Sequence, residues 1–189
     1  MSSFLTLLRC SFALAACAAL IACGPLEAPA RQAPLEFRAL SSNGPLSSAS
    51  LRGKTVWLSF SYVQCPDAVP RQLAALTPAL AALSEEERAR VQPLLISVDP
   101  DRDDPHALAR YAAYFHPQLA SAVADKAELA RLAQALGAKL WQQPPRPDGQ
   151  YAVVHSVETY VIDASGRLHA VLPEKAGPAE FKASLKQGR

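Results

Sequence analysis

Sulfur is scarce in this chain, and its distribution limits the possible chemistry. The sequence contains one methionine, Met1, and four cysteines, of which Cys10, Cys17 and Cys23 lie near the N-terminus. If the segment before Cys23 is removed on export and Cys23 itself is modified, Cys65 is the only free thiol that remains. A domain with one thiol cannot close an internal disulfide. A disulfide framework and thiol–disulfide cycling within the chain are therefore excluded.

An excess of charge is also absent. The chain has 19 basic and 17 acidic residues, a net charge of +2, and no run rich in lysine or arginine. Nothing electrostatic therefore favours a nucleic-acid partner. With 189 residues, 50% of them hydrophobic, the composition excludes wholesale disorder and suits one globular domain.

The N-terminal segment has the features of an export signal. Arg9 is its single charge, and the apolar run that follows is too short to span a bilayer of about 30 Å comfortably. The run ends in Leu20-Ile-Ala-Cys-Gly24, which resembles the lipobox of bacterial lipoproteins. The resemblance implies a lipoprotein signal peptide over 1–22 and a lipidated Cys23. A second candidate at Cys17 is weaker, and an uncleaved anchor is a further alternative.

The rest of the chain is divided accordingly. The Pro/Ala-rich stretch 23–34 predicts a linker, and 35–189 predicts the folded domain. In either version of the N-terminus we expect an exported protein, anchored to a bacterial membrane with its domain on the periplasmic side.

The order of the predicted elements favours an α/β fold, a three-layer sandwich around a central mixed β-sheet. Asn43-Gly44 predicts a tight turn, and we expect Pro93 to interrupt the second main strand and Pro78 to kink or divide the first helix. Strands are predicted over 55–63 and 91–98 and in a hairpin of 157–162 with 167–172, helices over 71–83, from Asp104-Pro105 onward, over 126–136 and over 178–186, and a proline-rich loop over 142–150.

Cys65 is the main candidate for chemistry. It follows a buried strand, and open α/β sheets bind their ligands at the carboxyl ends of strands. A thiol at the start of a helix is also favoured as thiolate by the helix dipole. Cys65 is thus a candidate nucleophile or metal ligand, with a buried structural cysteine as the alternative.

Four segments, taken in order, resemble the SCO/SenC family of thioredoxin-fold copper proteins. They are Leu51-Arg-Gly-Lys54 with the strand leading to Cys65-Pro-Asp-Ala-Val-Pro70, Ser97-Val-Asp-Pro-Asp-Arg-Asp-Asp-Pro105, Tyr111-Ala-Ala-Tyr-Phe-His-Pro117 and His155-Ser-Val-Glu-Thr-Tyr-Val-Ile-Asp163. The resemblance runs from about Leu35 to the C-terminus. It implies a thioredoxin-like fold and a role in cytochrome c oxidase assembly, in which copper is carried to the subunit with the binuclear copper centre or that subunit is reduced.

The resemblance also implies a ligand set. The family binds copper through the two cysteines of a C-P-x-x-C-P motif and one distant histidine, which correspond here to Cys65, Val69 and His155. Because valine cannot bind a metal, we expect a weakened site for Cu(I) or Cu(II), with Asp67 as a further candidate ligand of harder character. Loss of a thiolate should cost at least about 10–100-fold in affinity. The implied partner is the copper-site subunit of the oxidase or another copper carrier.

Two other functions stay open. In a one-cysteine oxidoreductase, the Cys65 thiolate would attack a peroxide or disulfide while His155 polarises it. Alternatively, the protein keeps only a docking surface. A lone histidine is by default structural. We expect solvated or capping roles for His106 and His116, and His169 has no predicted partner.

The aspartates at 99, 101 and 103 imitate the start of a calcium loop. Asp104 stands where glycine is needed and Arg110 where the bidentate glutamate belongs, so this interpretation is rejected. Turn and helix-capping chemistry explains these aspartates. For Asp99, a role in shaping the site also stays open.

Overall fold

The computed structural model describes residues 33–65 and 73–185, all of which belong to the unit Gln32–Arg189. The predicted signal peptide, Cys23 and the predicted linker before residue 33 lie outside the described residues, as do Asp67 and Val69.

The described ranges form nine strands and five α-helices. The strands are β1 Arg38–Ser41, β2 Gly44–Ser47, β3 Thr55–Ser61, β4 Val91–Ser97, β5 Ala120–Ala122, β6 Leu140–Gln142, β7 Val153–His155, β8 Thr159–Ile162 and β9 Leu168–Leu172. The helices are α1 Leu76–Ala81, α2 Glu85–Ala89, α3 Pro105–Phe115, α4 Lys126–Leu136 and α5 Pro178–Ser184.

A five-stranded sheet in the order β5-β4-β3-β8-β9 forms the middle layer. β3 and β4 are parallel, as are β4 and β5, whereas β8 runs antiparallel to both β3 and β9. The sheet is therefore mixed. Two separate ribbons, β1-β2 and β6-β7, lie outside it.

Side chains of β3 alternate between two hydrophobic cores, as expected for a strand buried on both faces. Leu58 and Phe60 pack into the core that includes Leu129 of α4. Trp57 packs into the other core, where its ring meets Phe181 of α5 edge-on, with 4.7 Å between the centroids. Fully burying a large apolar side chain contributes about 1.5–3 kcal/mol. Helices on both faces of the sheet confirm the predicted three-layer α/β sandwich.

Local signals placed several element boundaries correctly. α4 covers the predicted range, is capped by Asp125 and ends at Gly137, whose φ of 68° is left-handed. Asp104 caps α3 by accepting from the N–H of Ala107 at 2.9 Å, and Pro105 takes the first helical position. Gly44, with φ 105°, begins β2 after the predicted turn.

One of the two proline expectations needs correction. Pro93 does not interrupt β4, which runs unbroken from Val91 to Ser97. Because β5 pairs only with Leu94–Ile96, Pro93 has a partner strand on one side only, an edge-like position that tolerates a missing donor. The other is confirmed: a turn at Ala75 separates the helical residues Leu73 and Ala74 from α1, so the predicted helix is divided, and Pro78 lies in the first turn of α1, where backbone N–H groups have no intrahelical partner.

The β6-β7 ribbon, which carries His155, shares only Gln142 with the predicted loop 142–150; its other residues lie where the sequence predicts no element. Across the two described ranges, no helix has both the length and the apolar character needed to cross a membrane.

Candidate metal centre

Cys65 lies just beyond the carboxyl end of β3. Its N–H donates to the carbonyl of Tyr62 at 3.1 Å in a turn that ends the strand. The side chain is half-buried and packs against both hydrophobic cores. The neighbouring parallel strand β4 ends at the same edge of the sheet, as the sequence predicts for a ligand site. The predicted helix start after Cys65 falls within 66–72, outside the described residues.

His155 reaches Cys65 from the separate ribbon. It ends β7, opposite Leu140 of β6, and its Nε2 lies 3.5 Å from the Sγ of Cys65 although the two residues are 90 positions apart. The structure therefore brings together the two residues that the resemblance singles out.

The hydrogen bonds of His155 define its tautomer. Nδ1 lies 2.9 Å from the carbonyl oxygen of Ser156, and a carbonyl can only accept, so Nδ1 carries the proton. In the neutral ring Nε2 then presents its lone pair towards Cys65. Burial lowers the pKa of His155 below its ordinary value of 6.5, while the bond to Ser156 acts in the opposite direction. A neutral imidazole oriented by a backbone carbonyl is the usual form of a metal-binding histidine.

Tyr62 supports the imidazole, a role that sequence reasoning missed. Its ring meets His155 edge-on with 6.0 Å between the centroids. Its hydroxyl accepts a hydrogen bond from the N–H of Val153, in β7, at 3.2 Å. Burial raises the pKa of Tyr62, so the hydroxyl stays protonated. The only local signal for Tyr62 is its position at the end of a buried strand.

Asp103 braces the loops at the same edge of the sheet. Its carboxylate accepts from the hydroxyl of Ser97 at 2.7 Å and from the N–H of Val63 at 3.2 Å. Desolvation raises the pKa of Asp103, although these two bonds lower it. The contact joins the segment after β3 to the segment after β4.

The donor set at this edge is small. Within the described ranges, no group of three or more His, Cys, Asp or Glu side chains could hold a metal ion. Cys65 and His155 therefore offer one sulfur and one nitrogen, and Cu(I) accepts two or three such ligands. Asp67, the further candidate, lies outside the described residues.

The remaining candidates take structural positions. His116 is the C-cap residue of α3, and its Nδ1 accepts from the N–H of Gln118 at 3.0 Å in the turn that follows the helix. Asp101 forms an ion pair with Lys126 at 2.6 Å. Asp99 binds Arg102 and Tyr151, two residues that sequence reasoning did not single out.

Fold and site together define an α/β protein of thioredoxin type with a thiol and an imidazole at the carboxyl edge of its sheet. The chain belongs to the SCO1/SenC family, since the sequence model of that family matches residues 27–188. The predicted family is thereby confirmed.

Individual relatives agree with this assignment. Protein SCO2 homolog, mitochondrial, from Mus musculus is 33% identical over 133 residues, which make up 69% of this chain and 52% of that protein. The chain spans about half the length of the curated relatives it matches.

Solved structures support the fold. ScoI from Bradyrhizobium japonicum with copper bound has a TM-score of 0.73 at 30% identity, covering 82% of this chain and 99% of that one. Yeast Sco1 with copper bound has a TM-score of 0.71 at 28% identity, covering 81% of this chain and 88% of that one. The predicted thioredoxin-like fold is confirmed.

Proposed function

We propose that this protein binds copper and serves in the assembly of cytochrome c oxidase, with Cys65 and His155 as ligands of the copper it carries. The observation that carries the proposal is the 3.5 Å approach of the His155 Nε2 to the Cys65 Sγ, in a fold shared with copper-bound relatives.

The chemistry of the two donors suits Cu(I). A thiolate is the soft ligand that Cu(I) prefers, and imidazole is an acceptable second donor. The bond from Nδ1 to the Ser156 carbonyl holds the ring with its free lone pair towards the thiol, as outer contacts do in metal sites. With Val69 in place of a second thiolate, the site is weaker than a two-cysteine site. Asp67 is a further candidate ligand, whose harder oxygen would favour Cu(II).

The proposed setting follows from the N-terminus. The lipobox-like segment ending at Cys23 supports export, lipidation and a membrane anchor, with the folded domain on the periplasmic side. The proposed partner is the copper-site subunit of cytochrome c oxidase or another copper carrier.

A thiol enzyme is the second candidate, because the same pair could activate Cys65. Thiolate formation would need His155 to take up and hold the proton. Burial lowers the pKa of His155, which disfavours an imidazolium and therefore favours a metal ligand over a proton acceptor. Mild peroxide treatment followed by dimedone labelling tests this candidate, since an enzyme of this kind would form sulfenic acid at Cys65 much faster than free cysteine does.

A Cu(I) competition titration tests the copper proposal. The protein is prepared full-length with Cys10, Cys17 and Cys23 replaced by Ser, so that Cys65 is its only thiol, and is titrated against a chromophoric Cu(I) chelator. We expect one copper ion to bind, and Cys65→Ser to abolish binding. Undiminished uptake by the Cys65→Ser protein would remove the proposed site. If neither copper nor peroxide acts at Cys65, the docking function remains.

A further inference from the structure

In the part of the chain that the structure describes, the strand that carries His155 does not pair with any strand of the central sheet. Within the described residues β7 pairs with β6, and neither strand belongs to the five-stranded sheet. Val153 packs into one hydrophobic core, but apolar packing has little directional preference. The chain ties β7 to β8 through residues 156–158, and directional side-chain contacts add to this connection in fixing the position of His155 relative to Cys65.

Arg102 lies at the centre of such contacts. Its guanidinium carbon is 3.6 Å from the centroid of the Tyr151 ring, the separation of a stacked cation–π pair. It also donates to the carboxylate of Asp99 and, at 3.1 Å, to the side-chain oxygen of Gln64. We call Arg102, Asp99, Gln64 and Tyr151 the Arg102 clamp.

Tyr151 and Arg102 of the clamp both bind the buried carboxylate of Asp99. The hydroxyl of Tyr151 donates to Oδ1 of Asp99 at 2.8 Å, while Arg102 binds Oδ2. Asp99 is only 3% exposed, and a buried carboxylate that lost its partners would be strongly destabilising. The arrangement needs a planar cation that stacks and donates in fixed directions at once, which lysine cannot provide.

The clamp joins the segments that carry the two donors. Gln64 directly precedes Cys65, and Tyr151 stands just before β7. The Tyr62 ring lies between the clamp and the site, 5.8 Å from the Arg102 guanidinium and 6.0 Å from the His155 ring. Displacement of Tyr151 would therefore be transmitted to β7 along a short stretch of chain.

We propose that Arg102 is a positioning residue, which holds the His155-bearing strand against the Cys65 segment through Tyr151 and Asp99 on one side and Gln64 on the other. The copper readout of this inference rests on the proposed function, whereas the positioning itself is a property of the metal-free protein.

Amide hydrogen exchange on the metal-free, full-length protein in the triple-serine background tests the positioning. In Arg102→Gln we expect the Val153 amide, which donates to Tyr62, to exchange at least about tenfold faster, while Leu58 of β3 keeps its protection. In the same variant we expect Cu(I) affinity to fall by about 10–100-fold, as for other residues that orient ligands. Arg102→Lys should restore neither the protection of the Val153 amide nor the Cu(I) affinity.

Arg90→Gln is the matched control, because the Arg90 side chain is exposed and, among the described residues, contacts Glu86 alone, with an ion pair of 2.9 Å on the surface. It should change neither property. Unaltered protection of Val153 in Arg102→Gln overturns the proposal, and so does an equal loss in β7 and β3, which would be general destabilisation.

If Arg102→Gln does not fold, the same exchange measurement on Tyr151→Phe tests the Arg102 clamp instead. This variant keeps the stacked ring and loses the bond to Asp99. Faster exchange confined to β7 supports the clamp, and unchanged exchange overturns it. If β7 exchanges faster while the parent protein binds no copper, the proposed function fails and the clamp stands.

Discussion

Replacing His155 with alanine removes one of the two donors that the structure brings together. Nε2 lies 3.5 Å from the Cys65 Sγ, and the described ranges offer no group of three metal-binding side chains from which a substitute could come. Loss of a contact that merely orients a ligand costs about 10–100-fold in metal affinity. Loss of the ligand itself should cost at least as much, which corresponds to about 1.4–2.8 kcal/mol of binding free energy.

The assay is a Cu(I) competition titration of the metal-free protein at fixed pH, with His106→Ala as the control because His106 is exposed on α3. Methionine at position 155 supplies a soft thioether, so His155→Met should retain more Cu(I) affinity than His155→Ala. A His155→Ala protein with the parent's affinity would refute the assignment of His155 as a ligand, provided that thermal unfolding shows both to be folded.

Three further predictions concern the same region. Val69→Cys should raise Cu(I) affinity by about tenfold or more, because it supplies the second thiolate that Cu(I) prefers; an unchanged titration would mean that the backbone there does not suit a two-thiolate site. Tyr62→Phe leaves the buried Val153 N–H without its acceptor and should destabilise the fold by about 1–3 kcal/mol, seen in thermal unfolding as a lower Tm; an unchanged Tm would contradict that hydrogen bond. Since burial raises the pKa of Tyr62 above 10, its neutral form contributes stability that is lost as the pH rises through its folded-state pKa. The Tyr62→Phe protein should therefore lose less stability at alkaline pH than the parent. If the stability of both proteins falls in parallel as the pH rises, the raised pKa of Tyr62 is contradicted.

Local signals in the sequence sufficed for much of the fold. Asp125 and Gly137 delimit α4, and Asp104-Pro105 begins α3, because caps and prolines act on their immediate neighbours. The β8-β9 hairpin also lies where a turn between two apolar segments predicts it. Pro93 misled the prediction because its tolerance depends on where β5 ends, which is a property of the sheet and not of the strand.

The site was predictable only in part. The position of Cys65 after a buried strand indicates a functional thiol, whereas His155 enters through a family resemblance and not through any local pattern. The β6-β7 ribbon that presents it flanks a proline-rich stretch and has only three residues in each strand, too few for a clear alternation. Apart from the bond between Arg102 and Asp99, the contacts of Tyr62, Arg102 and Tyr151 join residues far apart in the chain, so neither periodicity nor spacing could indicate them.

X-ray absorption at the copper edge of the Cu(I)-loaded protein, in the background where Cys65 is the only thiol, shows which atoms bind the metal. We expect one sulfur and one imidazole nitrogen among the nearest neighbours of copper, with the imidazole signal lost in His155→Ala. A copper environment without sulfur, or one that His155→Ala leaves unchanged, would contradict this expectation.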